Sequence, residues 1–147
     1  MILLLFFLIF LIIGLGVFYY YYDSNINTKK HLNNLLQNPP VLGKMVAVII
    51  DGTNSQPPCL NTNGLACGLV AGTPTSSQQA ILQNNINIDW QNSLAILDYE
   101  TKIYNDYVAL YDTANINIMK IKITALVNYM TQHGYTNSDG TPVGIPI

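Results

Sequence analysis

The first 22 residues, Met1 to Tyr22, hold no charged side chain, and Ile2 to Ile13 are Leu, Ile or Phe without interruption. As a helix rising about 1.5 Å per residue, this stretch is ~33 Å long, slightly more than a bilayer's hydrocarbon core. Its apolar side chains favour insertion by on the order of 7 kcal/mol. Tyr19, Tyr20, Tyr21 and Tyr22, followed by Asp23, read as a membrane-interface belt, since a ring with an apolar body and a polar tip belongs at headgroup level. A cleaved secretory signal calls for a positive start, a shorter apolar core and small residues before the cut, and none of the three is present. The expectation is a permanent single-pass transmembrane anchor over 1–22. Gly14 and Gly16 lack the small-xxx-small spacing of a helix dimer seam, so no particular partner within the membrane is implied.

Charge is sparse throughout the chain. Of 147 residues, 10% are Asp, Glu, Lys or Arg, against roughly 25% in ordinary soluble domains. All six basic residues are lysines and the net charge is −2, so a phosphate-neutralising surface is hard to build and nucleic acid is not expected as a partner. Lys29 and Lys30 come after the span, which by the positive-inside rule puts the bulk of the chain on the cytosolic side. Seventeen asparagines without one Asn-x-Ser/Thr sequon lean the same way.

Residues 23–40 form a juxtamembrane helix or linker. Leu32, Leu35 and Leu36 recur at helical spacing and Asn38-Pro39-Pro40 stops them, because proline cannot continue a helix and turns its predecessor away from the α region. The helix either extends the anchor or lies separately on the membrane. His31, here, has no companion at metal-ligand spacing. Region 41–76 reads as a strand followed by a Gly/Pro/Asn-rich loop. Val41 to Ile50 is an apolar, β-rich run framed by Pro39-Pro40 and Asp51-Gly52, the pattern of a short buried strand; its best partner within the chain is Ile116 to Thr124. The irregular stretch 51–77 carries Cys59 and Cys67, which could close a disulfide in an oxidising compartment and would remain thiols in the cytosol. Their spacing is not that of a zinc site.

Val46 to Asn54, VAVIIDGTN, resembles the first strand of NYN-type nucleases over about nine residues, in which the Asp after the strand binds metal. The further acids that such a site requires have no matching motif downstream. Asp51-Gly52-Thr53 and Asp139-Gly140-Thr141 invert the Asp-Thr/Ser-Gly order of aspartic proteases and read as turns, with glycine supplying positive φ.

Region 77–134 carries the longest pattern. Ile96, Tyr99, Ile103, Tyr107, Leu110, Ala114, Ile118, Ile121, Ala125 and Tyr129 recur in steps of three and four, an eleven-residue repeat that makes a nearly straight or slightly right-handed helix-packing seam. Trp90, Leu94, Leu97, Tyr104, Val108 and Tyr111 add a second stripe, so such a helix must be covered on two sides. Ser76 or Ser77 suits the cap, Gly134 the C′ position and His133 the last turn. The pattern predicts one long amphipathic helix over residues 80–133. The alternative is a break at Asp112 to Asn115, with Ile116 to Thr124 as a strand because β-branched residues concentrate there. Asp89, Asp98, Glu100, Asp106 and Asp112 are expected on a solvated face, with Asp98 and Lys102 as an i,i+4 pair. Residues 135–147 read as an extended tail.

Two histidines, two cysteines and eight acids spread over the chain suggest no convergent catalytic set, metal site, cofactor site or small-molecule pocket. The expected fold is therefore mainly α: a transmembrane helix, then a small module with one long hendecad-patterned helix, a short buried strand and a long irregular loop. Few charges and many amides and hydroxyls suit burial among other proteins. The expectation is a non-enzymatic structural subunit that ties a protein shell or complex to a membrane, its partners being lipid and other subunits of the assembly. A minor capsid protein of a virion with an internal membrane is one natural setting. A pilin-like filament subunit and an accessory subunit of a membrane enzyme complex are the alternatives.

Overall fold

The computed structural model describes residues 2–46, 48–50, 53–55, 59–60, 66–67 and 76–147, with side chains for 6–46 and 76–147. It is mainly helical. Helix α1 (Ile2–Gln37) is unbroken over 36 residues, about 54 Å. The apolar stretch and the juxtamembrane segment are thus one element, ended by Asn38, whose side-chain amide and backbone N–H both bond Asn34 O before the two prolines. Helices α2 (Ser76–Ala109) and α3 (Thr113–Gln132) come later in the chain.

The single long helix predicted over 80–133 is instead two, folded back on each other at Tyr111 and Asp112. The hydrogen-bond ladder stops where Tyr111 takes φ 58°. Asp112 then caps α3, its carboxylate accepting from Asn115 N–H at 3.2 Å and from the Asn115 side chain at 2.8 Å. These bonds also hold the Asp112 carboxyl below its usual range. The reversal has a physical reason: a straight rod with two apolar stripes would leave both in water, whereas a hairpin turns one arm into the cover of the other. Ile116 to Thr124, the candidate strand, lies inside α3, so packing overrides β-branching there. α3 ends with the His133 cap and Gly134 at φ 67°. Gly134 N–H reaches Thr131 O at 3.1 Å and Tyr135 N–H reaches Met130 O at 2.8 Å, a Schellman closure.

The core lies between the helices in two clusters. One joins Leu97 of α2 to Ile123, Leu126, Val127, Tyr129 and Met130 of α3, with Val143 from the tail. The other joins Leu32 of α1, Ile103 of α2 and Met119 of α3, with Leu35, Tyr99 and Tyr107 packed around it. Burying each such large apolar side chain is worth roughly 1.5–3 kcal/mol.

Residues 41–46 differ from the buried strand expected for 41–50. They form an extended segment outside any sheet, and Val41 is 98% exposed. Strand β1 (Val48–Ile50) pairs antiparallel with β2 (Thr53–Ser55), and β3 (Cys59–Leu60) with β4 (Ala66–Cys67). The local hairpin, not Ile116 to Thr124, supplies the partner of β1. Most of the loop expected over 51–77 lies outside the described residues. The tail is folded back: Thr136 bridges Pro142 across a turn with Gly140 at φ 82°, Asp139 accepts from Thr141 N–H and Oγ1, and Val143 enters the core. Trp90 Nε1 donates to Thr136 O at 2.6 Å and ties that tail to α2.

Candidate functional site

Four features of α1 and α2 bear on function. The first is α1 itself, the one helix among the described residues long and apolar enough to cross a membrane, with the candidate span counted over Phe6–Gln37. Side chains from Phe6 to Ile26 are exposed, Tyr19, Tyr20, Tyr21 and Tyr22 among them. Phe18 stacks on Tyr22 one turn away, and Gly14 and Gly16 meet no atom that a Cβ would touch.

The second is the seat of its C-terminal third. Leu32 is buried against Ile103 and Met119. His31 Nδ1 lies 2.7 Å from Asp106 Oδ2, and Tyr99 OH donates to Leu35 O at 3.1 Å. Higher numbers on α1 meet lower numbers on α2, so the two helices run antiparallel and α2 descends toward the apolar half of α1.

The third continues the same pairing beyond the prolines. Asn92 Oδ1 accepts from Gly43 N–H at 2.8 Å while Asn92 Nδ2 donates to Gly43 O at 3.0 Å. Asn85 does the same with Val46, at 2.9 and 2.7 Å. Each amide thus imitates a neighbouring strand. The two periodicities match, because seven helical residues rise about 10.5 Å and three extended residues about 10 Å. Gly43 is required by the close approach: a Cβ there would lie 2.9 Å from Ile88 Cγ2.

The fourth is a buried acid. Asp89, expected on a solvated face, is 1% exposed. Its Oδ2 accepts from Tyr129 OH and, at 2.8 Å, from Tyr135 OH. His133 lies against the Tyr129 ring with centroids 4.1 Å apart, and its Nδ1 contacts Tyr129 O. Burial first, and then the Asp89 carboxylate, push both phenols well above the usual tyrosine range. Asp89 Oδ1 and Ser93 Oγ are buried without hydrogen-bond partners among the described residues. Asn85, Asp89, Asn92 and Ser93 thus make a buried polar stripe along α2. Spacing of apolar residues could not find it; the one available signal was Asn85 and Asn92 set two helical turns apart.

The ten seam residues are divided by the turn. On α2, Ile103 is buried and Ile96, Tyr99 and Tyr107 half-buried, as is Leu110 just beyond its end. On α3 the buried face runs through Met119, Ile123, Leu126, Val127, Tyr129 and Met130, so only Tyr129 of the seam lies on it. Ala114, Ile118, Ile121 and Ala125 point to solvent. The pattern lost phase because the three residues of the turn do not advance the helix. Asp98 and Lys102 pair on the surface at 2.6 Å. The backbone sets Cys59 directly opposite Cys67 across β3 and β4; their side chains, like Asp51, lie outside the described residues. Among the described residues no cluster of His, Cys, Asp or Glu could hold a metal ion.

No family model matches the chain, and no curated protein or solved structure matches it either.

Proposed function

We propose that this protein is a single-pass membrane-anchored structural subunit that ties a protein shell or complex to a lipid bilayer. One observation carries the reading: α1 is unbroken from a solvent-naked apolar half into a C-terminal third seated in the core of a helical head. A flexible tether would need only the apolar half. A continuous helix fixes the head's height and tilt over the membrane, which is useful to a scaffold that must register with neighbours. The apolar stripe Ile118 and Ile121, flanked by Ala114 and Ala125 and exposed along α3, supports the second half of the reading, since an uncovered ridge of this kind marks a contact surface. A minor capsid protein above an internal virion membrane fits both features.

The same protruding apolar helix running into a head also favours a filament subunit of pilin type, in which α1 would pack among its copies. Fractionation of the native source separates the readings. A tethering subunit stays with membrane and shell, and cross-links from Lys120 and Lys122, on either side of Ile121, reach a different protein. A filament subunit is recovered in sheared, detergent-resistant fibres with cross-links between its own copies. Recovery as a detergent-free monomer would contradict both.

A further inference from the structure

The antiparallel seating of α1 on α2 sends the α2–α3 turn back toward the membrane. From the His31–Asp106 contact, α1 descends nine residues to Tyr22, about 13.5 Å, and α2 descends three to its end at Ala109, about 4.5 Å. The α2–α3 turn that carries Tyr111 therefore opens ~9 Å above the last belt tyrosine by the same helical rise. That height is at the outer edge of the headgroup layer, which is on the order of 5–8 Å deep on each face of a bilayer, and a tyrosine side chain at the turn reaches into it.

Two properties of Tyr111 are unexpected for a turn in water. It is 84% exposed, and it is the only non-glycine residue with positive φ among those described. Gly or Asn would occupy that conformation readily, whereas a bulky side chain is disfavoured there. A phenol held in that conformation and packed on nothing finds a favourable place where its ring meets acyl chains and its hydroxyl meets headgroups. Val108, one turn earlier, is also exposed on the same end. Lys29 and Lys30 of α1 lie near this height, but Asp112 is in the turn itself and Asp23 is one residue above the belt, so the contact is not chiefly one of charge.

We propose that Tyr111, at the tip of the α2–α3 turn, is a second foothold in the lipid headgroup layer, on the same leaflet as the Tyr19 to Tyr22 belt. The foothold rests on the proposed anchoring of α1 in a bilayer. Two points of contact fix the head's rotation about α1, which one helix alone leaves free.

The test uses the full chain in phosphatidylcholine nanodiscs, with and without lipid brominated near the headgroup end of its acyl chains. Tyr111→Trp and Tyr20→Trp are each made in a Trp90→Phe background, and circular dichroism checks the helical content. The expected result is a blue-shifted emission and loss of fluorescence to bromine at both positions, while Trp90 of the native chain, near the middle of α2 and about 28 Å from its end at Ala109 by helical rise, keeps its intensity. Quenching at Tyr20→Trp without quenching at Tyr111→Trp would overturn the foothold alone. Absence of quenching at both would overturn the membrane reading with it. Should Tyr111→Trp lose helix, Val108→Trp takes its place under the same criteria.

Discussion

Asn85 and Asn92 each use one side-chain amide to satisfy both backbone groups of a residue in the extended segment. Replacing either by Ala leaves a backbone N–H and C=O unpaired at a part-buried site, at a cost of about 1–3 kcal/mol. Thermal or urea unfolding in detergent should show this loss for Asn92→Ala, and Gly43→Ala should destabilise by a similar amount because its Cβ would drive the segment off Ile88. An Asn92→Ala variant as stable as the parent would mean the segment is not held there. The phenols on Asp89 carry a second prediction. Unfolded tyrosines release their protons near pH 10, and Tyr129 and Tyr135 hold theirs beyond that range in the folded chain. Above pH ~10 the folded state then binds more protons than the unfolded one, so stability falls as pH rises and is undiminished below it. Melting temperature followed from pH 8 upward should drop beyond pH 10, and Tyr135→Phe should flatten the drop. Glu100 acts with the same sign in a lower pH range. Burial raises its carboxyl, against the pull of Lys122, so ionising it costs stability as pH rises through the carboxylate range. Glu100→Gln should therefore unfold at a higher temperature than the parent at pH 7.

At the scale of elements, the continuity of α1 is the feature with most consequence. Asn25→Pro would remove a helical hydrogen bond and clash with the turn before it, costing about 3 kcal/mol in helix interior, in the stretch that joins the apolar half to the seat. The head should keep its melting transition, since Leu32, Ile103 and Met119 lie beyond the break. What should change is the freedom of the head over the bilayer, measured as faster rotational averaging of a spin label on α3 in nanodiscs. Unchanged label mobility would mean α1 does not set the head's orientation. The apolar half of α1, its proline stop and the Gly134 end of α3 were all legible in the sequence, because each depends on composition or on one residue's backbone freedom. The break at Tyr111 was legible only as an alternative. The three-and-four spacing runs unbroken from Ile96 to Tyr129 across the turn, and spacing cannot tell a rod from a hairpin whose second arm has lost phase. The burial of Asp89 was hidden for a related reason: an acid between apolar stripes looks solvated until Tyr129 and Tyr135, 40 and 46 residues away, are brought onto it. The segment 41–46 reads like a strand from its apolar, β-rich letters, but among the described residues only Gly43 and Val46 are paired, to asparagine amides that no periodicity in the segment itself announces.

In the whole molecule, one antiparallel pairing runs from Leu32 against Ile103 through Gly43 on Asn92 to Val46 on Asn85, so α2 serves as the spine on which both α1 and the segment after it are laid. α3 closes the other side and leaves Ile121, 72% exposed, facing outward. The structure that results is an apolar helix held rigidly by a head with a free apolar ridge. Hydrogen exchange of the full chain in lipid nanodiscs tests that arrangement most directly. The expected result is slow exchange without interruption along α1 from Phe6 to Gln37, the first part shielded by lipid and the last by the head. A rapidly exchanging gap between Tyr22 and Thr28, or rapid exchange throughout the apolar half, would contradict it.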